Sequence, residues 1–328
     1  MIKPRLLVVE LWGLGDLIIA TPFLRAATQR FDVTLLAKPH AAQLKPHFWP
    51  EVHVLPFHAP WTAFHQKYHL WRWPWRVIAQ LRRHLGDERF AVSVSCRRDP
   101  RDHFLMWAVG ATERIGFPRW HSEAFLTRPI SQPNPLAHRH AYWLAAAGEL
   151  GLQLDAQPFP LRSNLPSRRV LLHTGAGQPI RSWPLKGYLA VCRRLRAAGY
   201  DVQVACDPHQ VSWWKANGES EVATPGSVDA LRSLLLAVDC FVGNDSGPGH
   251  LAAAFGLPTF SIFGPQLPEW FAPLSARGHC VEGKPCPYRP CSDYCRFPVA
   301  HCLERITEEE VWEQLSAFLT SGGVANKV

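Results

Sequence analysis

Apolar residues recur along this chain in two alternating rhythms. Short apolar runs bounded by glycine, proline or polar clusters read as buried strands, and longer stretches with apolar residues three and four apart read as helices. In the first half, the runs at 6–10, 33–37, 52–55 and 90–96 predict strands, and 17–29, 77–85, 103–109 and 138–150 predict helices. Residues 157–167 carry three prolines and little periodicity, which reads as a linker. The rhythm then restarts, with strands expected at 170–173, 202–206, 240–243 and 259–263 and helices at 185–198, 209–216, 228–237 and 249–255. A last amphipathic helix is expected over 307–319, opened by Thr307 with Glu310 three residues on, the pattern of a capping box. Strands alternating with helices mark a parallel α/β sheet. The restart predicts two Rossmann-like domains, 1–160 and 168–306, followed by a helix and tail over 307–328. Ligands in such sheets bind at the carboxyl ends of the strands, so a cleft between the domains is the expected site.

Composition narrows the class. Hydrophobic residues make up 47% and charged residues 19% of 328, the balance of a folded chain rather than a disordered one. A formal net charge of +8 favours an anionic partner: nucleic acid, phosphorylated glycan, nucleotide or acidic lipid surface. No apolar stretch approaches the ~20 residues that span a bilayer. Lys3 and Arg5 precede an apolar run, but Glu10 and Asp16 interrupt it, so it reads as a first buried strand rather than a signal peptide. The expected location is the cytoplasm, where thiols stay reduced. Of the nine cysteines, Cys96, Cys192, Cys206 and Cys240 sit singly among apolar residues and read as core.

Three loops carry candidate chemistry. Gly13-Leu14-Gly15-Asp16 follows the first strand. A Gly-x-Gly turn there lets backbone approach a ligand and exposes the next helix N-terminus. A nicotinamide-dependent dehydrogenase is the usual owner of such a turn, but Ile18 stands where the third glycine belongs and no acid closes the second strand cleanly. Asp16 reads either as a helix cap or as a base that takes a proton from an attacking hydroxyl. The second loop, His173 to Pro184, places Thr174, Gly175 and Gly177 ahead of Arg181. Small residues with one forked cation suit a diphosphate, and the alternative is a solvated surface arginine. In the third loop, Gly243-Asn244-Asp245-Ser246-Gly247-Pro248-Gly249-His250, small residues open a helix whose N–H groups favour an anion. Ser246 adds a hydroxyl donor, whereas Asp245 repels phosphate and reads as holding the loop or a sugar hydroxyl. His250 reads equally as a core histidine. Asp245-Ser246-Gly247 resembles the nucleophile loop of trypsin-like proteases, but the α/β context rejects that reading.

Together, in this order, these segments resemble glycosyltransferase family 9, the lipopolysaccharide heptosyltransferases. The resemblance takes in Gly15-Asp16, Thr21-Pro22, Arg114-Ile115-Gly116-Phe117, the loop 173–184, the block 239–265 and Phe263-Gly264-Pro265. It implies a GT-B architecture and an inverting, metal-independent transfer from ADP-L-glycero-β-D-manno-heptose or a related donor, with no cofactor for catalysis. Asp16 matches the family's general base. Arg181 matches a donor-diphosphate position that is usually lysine, and Thr174, Gly175, Asp245, Ser246, Gly247 and His250 fall on the donor side, with base and ribose contacts expected near 207–210. The acceptor, a glycolipid or other glycan, is expected on the first domain at Gly15, Arg97, Arg98 and Arg101. The aromatic and basic segment from Trp61 to Arg76 suits a membrane interface, packing on the first domain, or single-stranded nucleic acid; no RNA-binding module accompanies it, so nucleic acid is not expected. The alternatives kept open are another nucleotide-sugar donor and a non-catalytic nucleotide- or glycan-binding homologue. Cys286, Cys291, Cys295 and Cys302 form C-x4-C-x3-C-x6-C. This spacing admits a structural zinc or iron, reduced thiols or a disulfide, and family members of the autotransporter heptosyltransferase subgroup hold iron with such cysteines.

Overall fold

The computed structural model of the chain describes residues 2–62, 79, 83, 85, 89–162, 168–291 and 294–320. The chain folds as two compact units, Met1–Ala156 and Gln157–Val328. In the first, β1 (Arg5–Glu10), β2 (Asp32–Ala37), β3 (His53–Pro56), β4 (Val92–Ser95), β5 (Glu113–Gly116) and β6 (Arg128–Pro129) form a sheet of order β3-β2-β1-β4-β5-β6. In the second, β7 (Arg169–His173), β8 (Asp201–Ala205), β9 (Val222–Ala223), β10 (Cys240–Asn244), β11 (Thr259–Phe263) and β12 (Gly278–Glu282) take the order β12-β11-β10-β7-β8-β9. Among the described residues every strand pair is parallel. Both sheets have the doubly wound order, in which the chain reverses direction beside the first strand and leaves a crevice at the carboxyl ends of two neighbouring strands. Those pairs are β1 with β4 and β7 with β10.

The burial explains the sequence pattern. Leu6–Val9 of β1 and Val170–Leu172 of β7 are almost wholly buried, as expected of strands covered on both faces. The first core gathers Leu7, Val9, Leu36, Phe57, Trp61, Phe90, Leu105 and Met106. The second gathers Val170, Leu172, Trp183, Tyr188, Trp214, Val242, Phe260 and Ile262, and it also takes in Val311, Leu315 and Phe318 of the helix Glu308–Thr320. That helix begins with the expected box: the Glu310 N–H donates to Thr307 Oγ1 at 3.2 Å and the Thr307 N–H to Glu310 Oε2 at 3.0 Å.

Strands and helices fall within a few residues of their predicted positions, with characteristic omissions. The helix Ala41–Phe48 contains Pro46, which masked its period. Strands β5, β6, β9 and β12 are short or half-exposed and carry Glu113, Arg114, Arg128 and His279, so hydropathy does not mark them. The predicted helix 77–85 and the segment 61–76 lie for the most part outside the described residues. Trp61 is described, and it packs in the first core with its indole N–H donating to Asp102 Oδ1 at 3.0 Å. Cys96, Cys192, Cys206 and Cys240 are buried, and all nine cysteines are free thiols.

Candidate functional site

Each sheet presents one cluster of polar residues at its switch point, and each cluster is described on its own. In the first unit the chain leaves β1 through Glu10 and turns at Trp12 and Gly13 into the helix Leu14–Arg30. Asp16, third residue of that helix, turns its carboxylate back so that the Gly13 N–H donates to Oδ2 at 3.1 Å. This is the helix cap that the sequence allows. It also fixes the carboxylate at the carboxyl edge of the sheet. Asp16 Oδ1 pairs with Arg97 Nη1 at 3.4 Å. Arg97 follows β4, the strand beside β1, and its guanidinium lies 3.5 Å from the centre of the Trp12 ring.

The three arginines expected to meet the acceptor diverge. Arg97 joins Asp16. Arg98 Nη2 donates to the Pro118 carbonyl at 3.5 Å. Arg101 is held by Asp99, with Nε to Oδ1 at 2.7 Å and Nη2 to Oδ2 at 2.6 Å; the same Asp99 caps the helix Pro100–Ala108 through the Arg101 N–H. Gly15 sits in the first turn of its helix, beside Asp16.

Sequence reasoning passed over Glu10, which is 2% exposed and accepts the Trp12 N–H on Oε1 at 3.1 Å. Burial, reinforced by the Asp16 charge, pushes its carboxyl up to about 8. Asp102 is likewise pushed up to about 7, chiefly by burial. Lys38, following β2, and Arg139, opening the helix Arg139–Glu149, are both lowered by burial and feel the Asp16 charge. Nothing in the sequence marked these residues, because they come from four separate chain segments.

In the second unit the loops after β7 and β10 meet. Asn244, the last residue of β10, is fully buried. Its Oδ1 accepts the Trp183 N–H at 2.9 Å and the Tyr188 hydroxyl at 2.7 Å, and its Nδ2 donates to the Thr174 carbonyl at 2.9 Å. It therefore ties the loop 173–184 to the strand end. Thr174 is also buried, with Oγ1 donating to Gln210 Oε1 at 3.0 Å and accepting the Trp214 indole N–H at 3.3 Å. Gly175 leaves no room for a side chain, since a Cβ there would stand 2.5 Å from Asp207 Oδ1, and Asp207 Oδ2 accepts the Ala176 N–H at 3.1 Å. Gly243 is equally constrained, a Cβ falling 2.8 Å from the His173 carbonyl oxygen.

Arg181 Nη1 lies 3.5 Å from Asp245 Oδ2, so the cation of the second motif and the acid of the third are brought together across 64 residues. Ser246 and Gly247 open the helix Gly247–Ala254, and the Ser246 hydroxyl donates to the Asn244 carbonyl at 3.2 Å. His250 is buried inside that helix. Burial lowers the His173 imidazole, keeping it neutral. Among the described residues, neither polar atom of the buried Gln178 amide has a hydrogen-bond partner. Among the described residues, this edge brings together small residues, a helix N-terminus and the Arg181 guanidinium, with the Asp207 and Asp245 carboxylates tied to Ala176 and Arg181. A helix N-terminus with a forked cation is a chemistry suited to an anion.

The four clustered cysteines lie apart in their contacts. Among the described residues no group of three or more His, Cys, Asp or Glu side chains is disposed to hold an ion. Cys302 is drawn into the second core, while Cys291 Sγ turns to the Tyr288 carbonyl at 3.2 Å and Cys295 Sγ to that of Val299 at 3.6 Å. No helix among the described residues is long and apolar enough to cross a membrane.

Comparison with known proteins follows the same lines. Lipopolysaccharide heptosyltransferase 2 of Escherichia coli (strain K12) is 25% identical over 156 residues, a match that spans 43% of this chain and 43% of that protein. The match thus spans less than half the length of that relative. The fold is that of the glycosyl transferase family 9 structure from Veillonella parvula DSM 2008, with a TM-score of 0.76 at 17% identity over 97% of this chain and 98% of that one. It is also that of the E. coli heptosyltransferase WaaC with ADP, with a TM-score of 0.72 at 16% identity over 96% and 99% of the two chains. The family model for glycosyltransferase family 9 (heptosyltransferase) matches residues 78–298, more than half of the sequence. The chain belongs to glycosyltransferase family 9.

Proposed function

We propose that this protein is an inverting glycosyltransferase that moves a heptose-like sugar from an ADP-sugar to a lipopolysaccharide-type glycolipid or other glycan acceptor. The observation that carries the reading is the placement of Asp16. A carboxylate is held at the switch point of one doubly wound sheet, and a second sheet of the same strand order offers a diphosphate-type loop at its own switch point. Membership of the family supports the reaction class, and the ADP bound in the WaaC structure supports an adenine nucleotide on the donor.

In this reading an acceptor hydroxyl attacks the anomeric carbon from the face opposite the diphosphate, inverting the configuration. Asp16 takes the hydroxyl proton as the new C–O bond forms. The nucleoside diphosphate leaves with the electron pair of the old bond, and Arg181 together with the N–H groups opening the helix at Gly247 stabilises its charge. Gly175, Ser246 and the buried Thr174 and His250 shape that loop, and the domains 1–160 and 168–306 divide acceptor from donor binding. The charge is balanced by fixed protein groups, so the transfer proceeds without a divalent metal. Arg97, Arg98 and Arg101 belong to the acceptor side. A cytoplasmic position, peripheral at the inner face of the inner membrane, accords with a glycolipid acceptor and with the net charge of +8.

The test is a calorimetric screen of ADP, GDP, UDP, dTDP and CMP, with and without magnesium, followed by a transfer assay with the sugar form of whichever nucleotide binds. Selective ADP binding without magnesium and turnover of ADP-heptose are expected. Selective binding of another nucleotide would replace the donor, and binding with no transfer to any glycan would make the protein a non-catalytic homologue.

A further inference from the structure

Both oxygens of Asp16 are engaged in this structure. Oδ2 accepts the Gly13 N–H at 3.1 Å, and Oδ1 faces Arg97 Nη1 at 3.4 Å. Arg97 does not reach Asp16 as a loose surface side chain, because its guanidinium rests on the Trp12 ring at 3.5 Å, a cation–π perch in the turn that leads into Asp16. Its Nε is buried and finds no acceptor among the described residues, so one donor goes unused while the guanidinium stays on this perch.

We infer that Arg97 guards the base: it occupies Asp16 until an anionic group of the acceptor draws it away, so that water is not activated against a bound donor. This rests on the reading of Asp16 as the base of a sugar transfer. A base poised beside a nucleotide sugar would deprotonate water as readily as an alcohol. Water attack at the anomeric carbon would form the free sugar, pass its proton to Asp16 and release the nucleoside diphosphate, wasting the donor. Pairing with Arg97 opposes this, because the guanidinium stands at Oδ1, where a water would have to sit. A carboxylate or phosphate on the acceptor competes for Arg97 and can use the idle Nε, giving the guanidinium a bidentate partner that the single Nη1 contact with Asp16 does not provide. The surroundings leave Asp16 as the partner in the meantime. Burial pushes Glu10 up to about 8, so it is largely neutral at pH 7. Asp102 gives Oδ1 to the Trp61 indole, and burial pushes its carboxyl up to about 7. Lys38 and Arg139 feel both the Asp16 and the Arg97 charges, so the cluster holds further cations beside Arg97.

The experiment measures two rates on one preparation, using the sugar nucleotide that the wild-type protein turns over. One is nucleoside diphosphate release without acceptor, and the other is transfer with acceptor. The variants are Arg97→Met, which keeps bulk over Trp12 without charge, Arg97→Ala, and Trp12→Leu, which removes the perch; circular dichroism and melting temperature establish folding. In each folded variant, hydrolysis without acceptor is expected to rise about fivefold or more while transfer falls about tenfold or more. Adding acetate or inorganic phosphate should raise wild-type hydrolysis and leave Arg97→Met unchanged. Hydrolysis and transfer falling in parallel in Arg97→Met and Trp12→Leu would overturn the guard while leaving the transferase reading intact. A wild-type protein that releases diphosphate from no sugar nucleotide, with or without acceptor, would overturn both.

Discussion

Asn244 Oδ1 accepts the main-chain N–H of Trp183 at 2.9 Å across 61 residues of sequence. The same amide takes the Tyr188 hydroxyl and gives a hydrogen bond to the Thr174 carbonyl, so one buried side chain holds the end of β10, the loop after β7 and the helix that follows. Trp183 is fastened on its other side by its indole N–H, which donates to the Ile306 carbonyl at 3.0 Å. The loop 173–184 is thus pinned by buried hydrogen bonds, and a substitution at Asn244 tests how far it depends on them. Asn244→Ala should destabilise the protein by roughly 3 kcal/mol, because it strands several buried polar groups at once. Nucleoside diphosphate affinity should fall with stability, and denaturant melts with calorimetry read both; a change in stability under ~0.5 kcal/mol would show that the loop does not depend on this residue.

Asp16→Asn keeps an oxygen to cap Gly13 and removes the carboxylate proposed as the base. Transfer should fall by roughly a hundred- to ten-thousand-fold, with nucleotide affinity and melting temperature close to wild type. Initial rates on a folded sample decide the matter, and wild-type-like turnover would remove Asp16 from the chemistry.

Arg181 should be needed for the diphosphate and not for the fold. Arg181→Ala is expected to weaken nucleoside diphosphate binding by roughly 10- to 100-fold, the worth of a charge-assisted hydrogen bond. Arg181→Lys should recover part of the loss, since it keeps the charge but not the forked geometry. Titration calorimetry with the diphosphate and the corresponding monophosphate separates the two contributions, and equal losses for both ligands would place Arg181 away from the second phosphate.

Glu10 gives a pH signature in stability. Its carboxyl, pushed up to about 8 by burial and then by Asp16, binds its proton more tightly when folded than at the ordinary value of 4.5. Between those two values the folded protein holds a proton that the unfolded chain has lost, so stability falls as pH rises. The contribution is complete below 4.5 and is lost by about 8. Glu10→Gln keeps an acceptor for the Trp12 N–H and cannot ionise. It should match wild type near pH 4.5 and exceed it at pH 8 by on the order of a few kcal/mol. Denaturant melts of both proteins across this range measure the difference, and a gap that stays constant with pH would mean that Glu10 folds ionised.

Hydropathy alone was enough for the strands that both faces of a sheet bury. Runs such as 6–10 and 259–263 leave water entirely, so their apolar character is forced and visible. It did not mark β5 or β12, whose partly exposed positions accept Glu113, Arg114 and His279. The small residues of the loops 173–184 and 243–250 were legible for a similar reason: Gly175 and Gly243 have no space for a Cβ, and such steric demands fix residue type locally. The pairing of Arg97 with Asp16, the raised carboxyl of Glu10 at the end of β1, the stitching by Asn244 and the withdrawal of Cys302 into the second core were decided only by the tertiary structure. Each depends on which distant side chains share a sheet edge or a core, and on how burial and neighbouring charge then set hydrogen bonding and protonation; linear spacing carries neither.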